Sequence, residues 1–411
     1  MLESENEISE NDTDELMLSI PEGFSFAGVA SGIKKSGNID LSLVVADDKC
    51  SAFGVFTQNM IRASSVDWNR NLIGSARGIV INSGNANACT GEQGEHDTES
   101  MARELADQIG CELNDVLVMS TGIIGEMLPM ENVTSGIVAA FGQLQNNENA
   151  FDLAAQGMMT TDKFCKVSST EFAVGGTTYS VLGMAKGAGM IGPKMATMLC
   201  VLLTDFPLAA SDEHNTAFKH AIDQSFNCIS VDGHTSTSDQ VVLLANSTGG
   251  SDGKSLPESN HEFFNQLTAV CIDLAKKIPS DGEGATHLIS IQVSGPQRES
   301  ELALVAKTIA DSPLVKTAVF GGDPNWGRIV SAAGYSGIAF EPNETSLRVN
   351  GFLLFEKGTP VDFDEKEVST SIKDNTDTEI ELQIGVPKNS AQFWTSDLTY
   401  EYVKINAEYH T

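Results

Sequence analysis

A mixed α/β fold is predicted by three features of the chain. Short apolar runs alternate with amphipathic stretches, and no fixed-period repeat appears along the 411 residues. Glycine is plentiful and proline scarce, 37 against 12, which suits the turns of an α/β protein. The runs that read as strands are "LSLVVA" (41–46), "ARGIVIN" (76–82), "DVLVMS" (115–120), "TYSVLGMA" (178–185), "TMLCVLLT" (197–204), "QVVLLAN" (240–246), "HLISIQVSG" (287–295), "VKTAVFGG" (315–322), "IELQIGV" (380–386) and "YEYVKINAEY" (400–409). Two helices are equally clear. In 261–278, Phe263, Leu267, Val270, Cys271, Leu274 and Ile278 recur at three and four residues and make one apolar face. In 99–110, Met101, Leu105 and Ile109 repeat that spacing, and Gly110 closes the helix.

The length allows two domains or one large α/β body, and no linker separates independent units. Two segments are weak. Residues 1–20 hold seven acids within the first fifteen positions and read as a disordered tail. Residues 246–260, "NSTGGSDGKSLPESN", read as an exposed loop before a helix.

Charge narrows the partners. With 25 basic and 56 acidic residues the net charge is 25 − 56 = −31, which repels nucleic acid and anionic membrane surfaces. No basic stretch followed by an apolar one opens the chain, and no apolar run is long enough to span a bilayer. The seven cysteines are scattered without a CxxC pair, as expected of free, mostly buried thiols in a reducing cytoplasm. The seven histidines show no metal-binding spacing, so no metal is expected.

Glycine- and asparagine-rich junctions follow the strands at 80–94, 119–130, 185–199, 226–239, 281–287 and 320–330. Each alone reads as a turn, and none is a P-loop or a dinucleotide-binding fingerprint. The junction "AKGAGMIGPKMATMLCVLLTD" is the odd one: Thr197 stands between a glycine loop and a strand. It is either a strand-capping hydroxyl or a nucleophile released by a backbone cut.

Taken together, "GMIGPKMATML", "NSGNANACTG", "STGIIGE", "DPNWGR" and the closing "YVKINAEY" resemble the ornithine acetyltransferase (glutamate N-acetyltransferase) family of arginine biosynthesis, from residue 21 to the end. The resemblance implies a layered αββα sandwich, helices outside and sheets inside. It implies a self-inflicted cut between Ala196 and Thr197 that leaves an alpha chain, 21–196, and a beta chain, 197–411, associated as a heterotetramer of two of each. Small Ala196 and nearby Gly187, Gly189 and Gly192 suit a strained attack geometry. Thr197 then carries both a nucleophilic hydroxyl and, as an α-amine titrating near ~7.7–8.0, its own general base. The Thr121 hydroxyl and Gly122 N–H supply the oxyanion hole in the family pattern, with a helix N-cap as the competing reading of "STGIIGE".

Substrate contacts carried over by the resemblance are Thr160, Lys186, Thr197, Glu283, Asn406 and Thr411. Thr161 could replace Thr160, and Lys186 could instead be a solvated loop lysine. The chemistry fits an α-carboxylate held by lysine and hydroxyl donors, and a side-chain ammonium held by Glu283. The chain departs from the family pattern at Lys194, His234, Ser238 and His287. None of these replaces the nucleophile, the oxyanion pair or Glu283; they bear on substrate preference and cleavage rate.

The expected activity is ping-pong acetyl transfer from N-acetylornithine to glutamate without a cofactor, acetyl-CoA being a co-substrate on which the sequence is silent. The C-terminal tail would help close the site. A self-cleaving amidase or aminopeptidase and an uncleaved, inert binding protein are the rivals.

Overall fold

The structure, a computed structural model, describes residues 18–192, 198–246 and 257–408. Thr197, Ala196, Lys194 and Thr411 lie outside the described residues, as do 1–17 and 247–256. Among the described residues two sheets form. The first holds β1 (Phe24–Val29), β2 (Leu41–Phe56), β3 (Ser75–Asn85), β4 (Val116–Ile123), β5 (Lys166–Val174), β6 (Thr177–Lys186), β7 (Leu199–Thr204) and β9 (Gln240–Ala245). Its order is β4-β3-β2-β9-β7-β6-β5, with β1 paired to the first half of β2. The second, ordered β13-β12-β11-β14-β10-β15-β8, holds β8 (Ile229–Ser230), β10 (Leu288–Gly295), β11 (Thr345–Val349), β12 (Phe352–Glu356), β13 (Thr359–Pro360), β14 (Asp377–Ile384) and β15 (Asn389–Ser396).

The apolar runs are near-continuous because the first sheet is covered on both faces. One face of its β2–β4 region packs on α2 (Gly91–Ile109) and α3 (Met130–Phe141), with Val80, Val116 and Val118 meeting Met101, Leu105 and Ile137. The opposite face packs on α4 (Glu148–Met158) around Phe26 and Phe151. On β6, β7 and β9 the second covered face meets α5 (Asp212–Asp223) and α6 (Pro257–Ser280). The apolar stripe read in 261–278 is the buried face of α6: Phe263, Leu267, Val270, Cys271, Leu274 and Ile278 all enter this core. At about 25 cal/mol per Å² of apolar surface removed from water, such a helix is held by packing far more than by its own propensity. Helix α1 (Ser64–Leu72) packs against β4.

The second sheet is covered on one face by α7 (Glu299–Ala310), α8 (Pro313–Gly321), α9 (Trp326–Gly334) and α10 (Glu365–Lys373). Its other face shows Gln292, Glu379, Glu381 and Gln392 to solvent, so β14 alternates strictly between exposed and buried. Helix α11 (Tyr400–Glu408) lies on the surface with no residue buried. The mixed α/β class, with two sheets and helices against them, is as the sequence predicted.

Two predicted strands are helices instead. The run 315–322 lies in α8, where Pro313 starts the helix, the Ser312 hydroxyl accepts the Val315 N–H, and Gly322 ends it in the left-handed conformation. The run 400–409 is α11 as far as Glu408, opened by Thr399 Oγ accepting the Tyr402 N–H at 3.1 Å. Helix α6 begins at Pro257, so the end of the predicted loop is helical. Leu18 and Ile20, placed by the sequence in the tail, pack against the Phe26–Phe151 core.

Candidate active site

Strand β4 carries Ser120-Thr121-Gly122 just before its last residue, Ile123, so the oxyanion candidates sit on a strand and not at a helix N-cap; α3 begins at Met130 behind Pro129. Parallel pairing sets Thr121 against Ser83 and Gly122 against Gly84, where the register then shifts. Gly122 has φ 131°, and a Cβ there would lie 2.3 Å from the Gly84 carbonyl carbon. Only glycine permits this approach, and it leaves position 122 without a side chain. Thr121 itself is 3% exposed. Asn85 steadies the turn beyond, donating to the Glu126 and Met127 carbonyls, each at 3.1 Å.

Gly122 opens onto a cleft of about 1200 Å³, lined also by Lys34, Gln156, Thr160, Thr161 and Lys163. Both Thr160 and Thr161 reach this wall, so the structure leaves the sequence's two alternatives side by side. Lys34 is tethered under the wall, its ammonium donating to the Ile39 and Met159 carbonyls at 2.7 and 2.8 Å. Burial pulls its pKa down, opposed by the charges of Asp40 and Asp162.

Behind the cleft lies a buried ionic chain that the sequence reading missed. Asp162 accepts the Thr160 N–H at 2.9 Å on Oδ2. Its Oδ1 accepts the Gly187 N–H at 2.7 Å and the Lys166 ammonium at 2.7 Å. The same ammonium donates to Asp281 Oδ2 at 2.6 Å, and that oxygen also takes the Lys163 N–H at 2.9 Å. No part of the three side chains Asp162, Lys166 or Asp281 reaches solvent. A spacing of four between Asp162 and Lys166 and the position of Asp281, two before Glu283, were the only traces in the sequence.

Lys186 ends β6 and is 2% exposed, which rules out the solvated-loop reading. Burial pushes its pKa down, against the pull of Asp162, Asp239 and Glu283, with Lys166 adding to the fall. Across the hairpin, Lys186 pairs with Leu199, and Met198 donates its N–H to Asp239 Oδ1 at 2.8 Å. Asp239 is wholly buried and its Oδ2 has no partner among the described residues, so burial holds this carboxyl well above the usual range. Asp239, too, went unread in "TSTSD".

Glu283 and Asn406 meet as a second cluster. The Asn406 amide donates to Glu283 Oε2 at 2.8 Å, and the Glu283 N–H donates to the Ala188 carbonyl at 2.8 Å. The Glu283 carboxylate lies over Gly189, where a Cβ would stand 2.5 Å from its carboxyl carbon. Nearby, Asp232 accepts the Met190, Ile191 and His234 N–H groups at 2.7, 3.0 and 3.1 Å, and the Tyr402 hydroxyl at 3.3 Å. Ser238 is buried against Thr237.

Lys186 and Glu283 are thus fixed at the two ends of the turn 186–189, and Met198 sits beside Lys186 across the β6–β7 pairing. Such a turn offers a cation and an anion to a small zwitterion. The sequence model of the ArgJ family matches residues 25–411.

The chain belongs to the ArgJ family.

Its ArgJ relatives include the arginine biosynthesis bifunctional protein of Rhodopirellula baltica, 45% identical over 398 residues, with 95% of this chain and 96% of that protein covered. The mitochondrial ArgJ of Yarrowia lipolytica is 42% identical, covering 95% and 94%. Among solved structures, an ornithine acetyltransferase of Mycobacterium tuberculosis complexed with ornithine is 35% identical, covers 43% of this chain and 94% of its own, and superposes with a TM-score of 0.38. No helix among the described residues is long and apolar enough to cross a membrane.

Proposed function

We propose that this ArgJ enzyme, an acetyltransferase of arginine biosynthesis, moves the acetyl group of N-acetylornithine to glutamate through an acetyl ester on Thr197. The observation that carries the reading is the pairing of a buried cation, Lys186, with the Glu283 carboxylate at the two ends of one turn beside Met198. Lys186 takes the α-carboxylate and Glu283 the side-chain ammonium, with Thr160, Asn406 and Thr411 completing the site.

The chain first cuts itself between Ala196 and Thr197. Thr197 Oγ attacks the Ala196 carbonyl carbon, the C–N bond breaks as the nitrogen takes a proton, and water opens the resulting ester. In turnover the neutral α-amine of Thr197 accepts the Oγ proton as Oγ attacks the acetyl carbonyl. The Thr121 hydroxyl and the Gly122 N–H meet the oxyanion, one such donor being worth roughly 2.7–4 kcal/mol. Ornithine leaves with the proton, and the glutamate amine repeats the steps in reverse order.

The donor is itself a metabolite, so the exchange consumes no cofactor; acetyl-CoA, if used, would be a second acetyl donor. We place the two pieces in a cytoplasmic heterotetramer of two alpha and two beta chains.

Intact-mass measurement after mixing with N-acetylornithine tests the reading. Two pieces divided at Thr197, an acetyl adduct on the second, and N-acetylglutamate formed only when glutamate is added are the expected result. Thr197→Ala should stay whole and inactive. A whole, active chain, or acetate released equally with and without glutamate, would overturn the proposal.

A further inference from the structure

The buried chain Asp162–Lys166–Asp281 joins three parts of the molecule that the chemistry needs at fixed distances. Asp162 holds the Thr160 N–H on one oxygen and the Gly187 N–H, next to Lys186, on the other. Lys166 passes from Asp162 to Asp281. Asp281 stands at the end of α6, two residues before Glu283, with its own N–H bonded to the Lys277 and Ile278 carbonyls. The ammonium of Lys166 also lies 5.0 Å from the ring centroid of Phe164, in the cleft wall.

Stability alone is a poor reason for this arrangement. Three charges removed from water cost more than apolar side chains of equal volume would, and such clusters are often neutral or unfavourable to the fold. Their geometry is nonetheless narrow, because each oxygen accepts and each N–H donates only within hydrogen-bond reach. The first oxygen of this chain fixes the Lys186 end of the turn, and its last carboxylate fixes the segment that presents Glu283. A second tie, Glu283 N–H to the Ala188 carbonyl, prevents the two ends from sliding past one another.

We infer that Asp162, Lys166 and Asp281 are positioning residues that set the separation of Lys186 from Glu283, and so the length of the diamino acid that the site accepts. The inference rests on the reading of Lys186 and Glu283 as the substrate's two charge partners. A site of fixed length rejects a substrate one methylene too long, because its ammonium then misses the carboxylate; one methylene is worth about 10–200-fold in kcat/KM where a pocket discriminates.

The test compares N-acetylornithine with Nα-acetyl-lysine, one methylene longer, at saturating glutamate. The unmodified enzyme should prefer N-acetylornithine within that range. Asp281→Asn, which keeps the shape and removes the charge, should raise KM for N-acetylornithine, change kcat little and bring the ratio of the two kcat/KM values towards unity. The set Asp162→Asn, Lys166→Met and Asp281→Asn removes all three charges of the chain at once and should flatten the ratio in the same way. Circular dichroism and the two-band pattern on a denaturing gel report folding separately. A purely structural role would reduce the yield of folded enzyme, leave the preference of the folded fraction as it was, and overturn the inference. Failure of the unmodified enzyme to use N-acetylornithine would overturn the functional reading as well.

Discussion

At the scale of single residues, the site depends on what is missing as much as on what is present. Gly189 has room for no Cβ, because one would meet the Glu283 carboxylate oxygens at 2.6 Å. Its φ is not in the left-handed region, so alanine is allowed by the backbone, and the nearest obstacle is that carboxylate. Gly189→Ala should therefore fold yet displace Glu283 by close to an ångström, a misplacement that costs roughly 10²-fold in catalysis, to be read on the fraction that has been cut. Steady-state kinetics with N-acetylornithine reads the loss, and unchanged kcat/KM would show that Glu283 does not touch substrate. Gly122→Ala is a different case: the new Cβ meets Gly84 backbone and the φ of 131° is strained, so fold and site would fail together.

At the scale of elements, the β6–β7 pairing would hold the two pieces together after the proposed cut before Thr197. Six residue pairs, Val181–Thr204 to Lys186–Leu199, join β6 to β7, and β2 pairs with β9 across the same division. Both ladders are buried within one sheet, so the proposed pieces would share a core. His287, one of the departures from the family pattern, ties three other elements. It contacts Asp397 Oδ2 at 3.2 Å and the Ile372 carbonyl at 3.1 Å, joining the start of β10 to the end of α10 and to the turn before α11. The hydrogen bond to Asp397 raises its pKa above 6.5, against the effect of burial. Its contribution is therefore complete below 6.5 and is lost as pH rises through the raised value. His287→Gln should lower Tm clearly at about pH 5.5 and much less at about pH 9, since a hydrogen bond between charged partners is worth about 1.5–3 kcal/mol. An equal loss at both values would refute the ionic tie. Most elements were legible because their apolar period is local. Helices α8 and α11 were not: their runs carry β-branched and aromatic side chains, and the deciding signals were the flanking Ser312, Pro313, Gly322 and Thr399. The motif residues proposed for the site were chosen by resemblance. Asp162, Lys166, Asp239 and Asp281 were not, because the partners come from segments far apart in sequence, and the one local spacing, Asp162 to Lys166, is too common to signal a buried ion pair.

At the scale of the whole molecule, the net charge of −31 works against compactness. Like charges crowd together on folding, and few cations are close enough to offset them. Surface pairs such as Arg103–Glu99, Arg298–Glu301 and Lys404–Glu401 are exposed, and pairs of this kind are worth about 0–1 kcal/mol. Salt acts on the two kinds of interaction in opposite senses. It screens the long-range repulsion, with a Debye length falling from about 30 Å at 0.01 M to about 8 Å at 0.15 M, and it weakens only those small surface attractions. The strong pairs, Lys166 with Asp162 and Asp281, have no solvent contact and are largely beyond its reach. Repulsion is the larger quantity, so Tm should rise as NaCl is raised over that range, steeply at first and then levelling as screening saturates. Sodium chloride is the right salt, because sulfate would also strengthen apolar burial and confuse the cause. A Tm that falls with NaCl would mean that surface ion pairs outweigh the acidic excess, and that the fold draws on its charges more than it suffers from them.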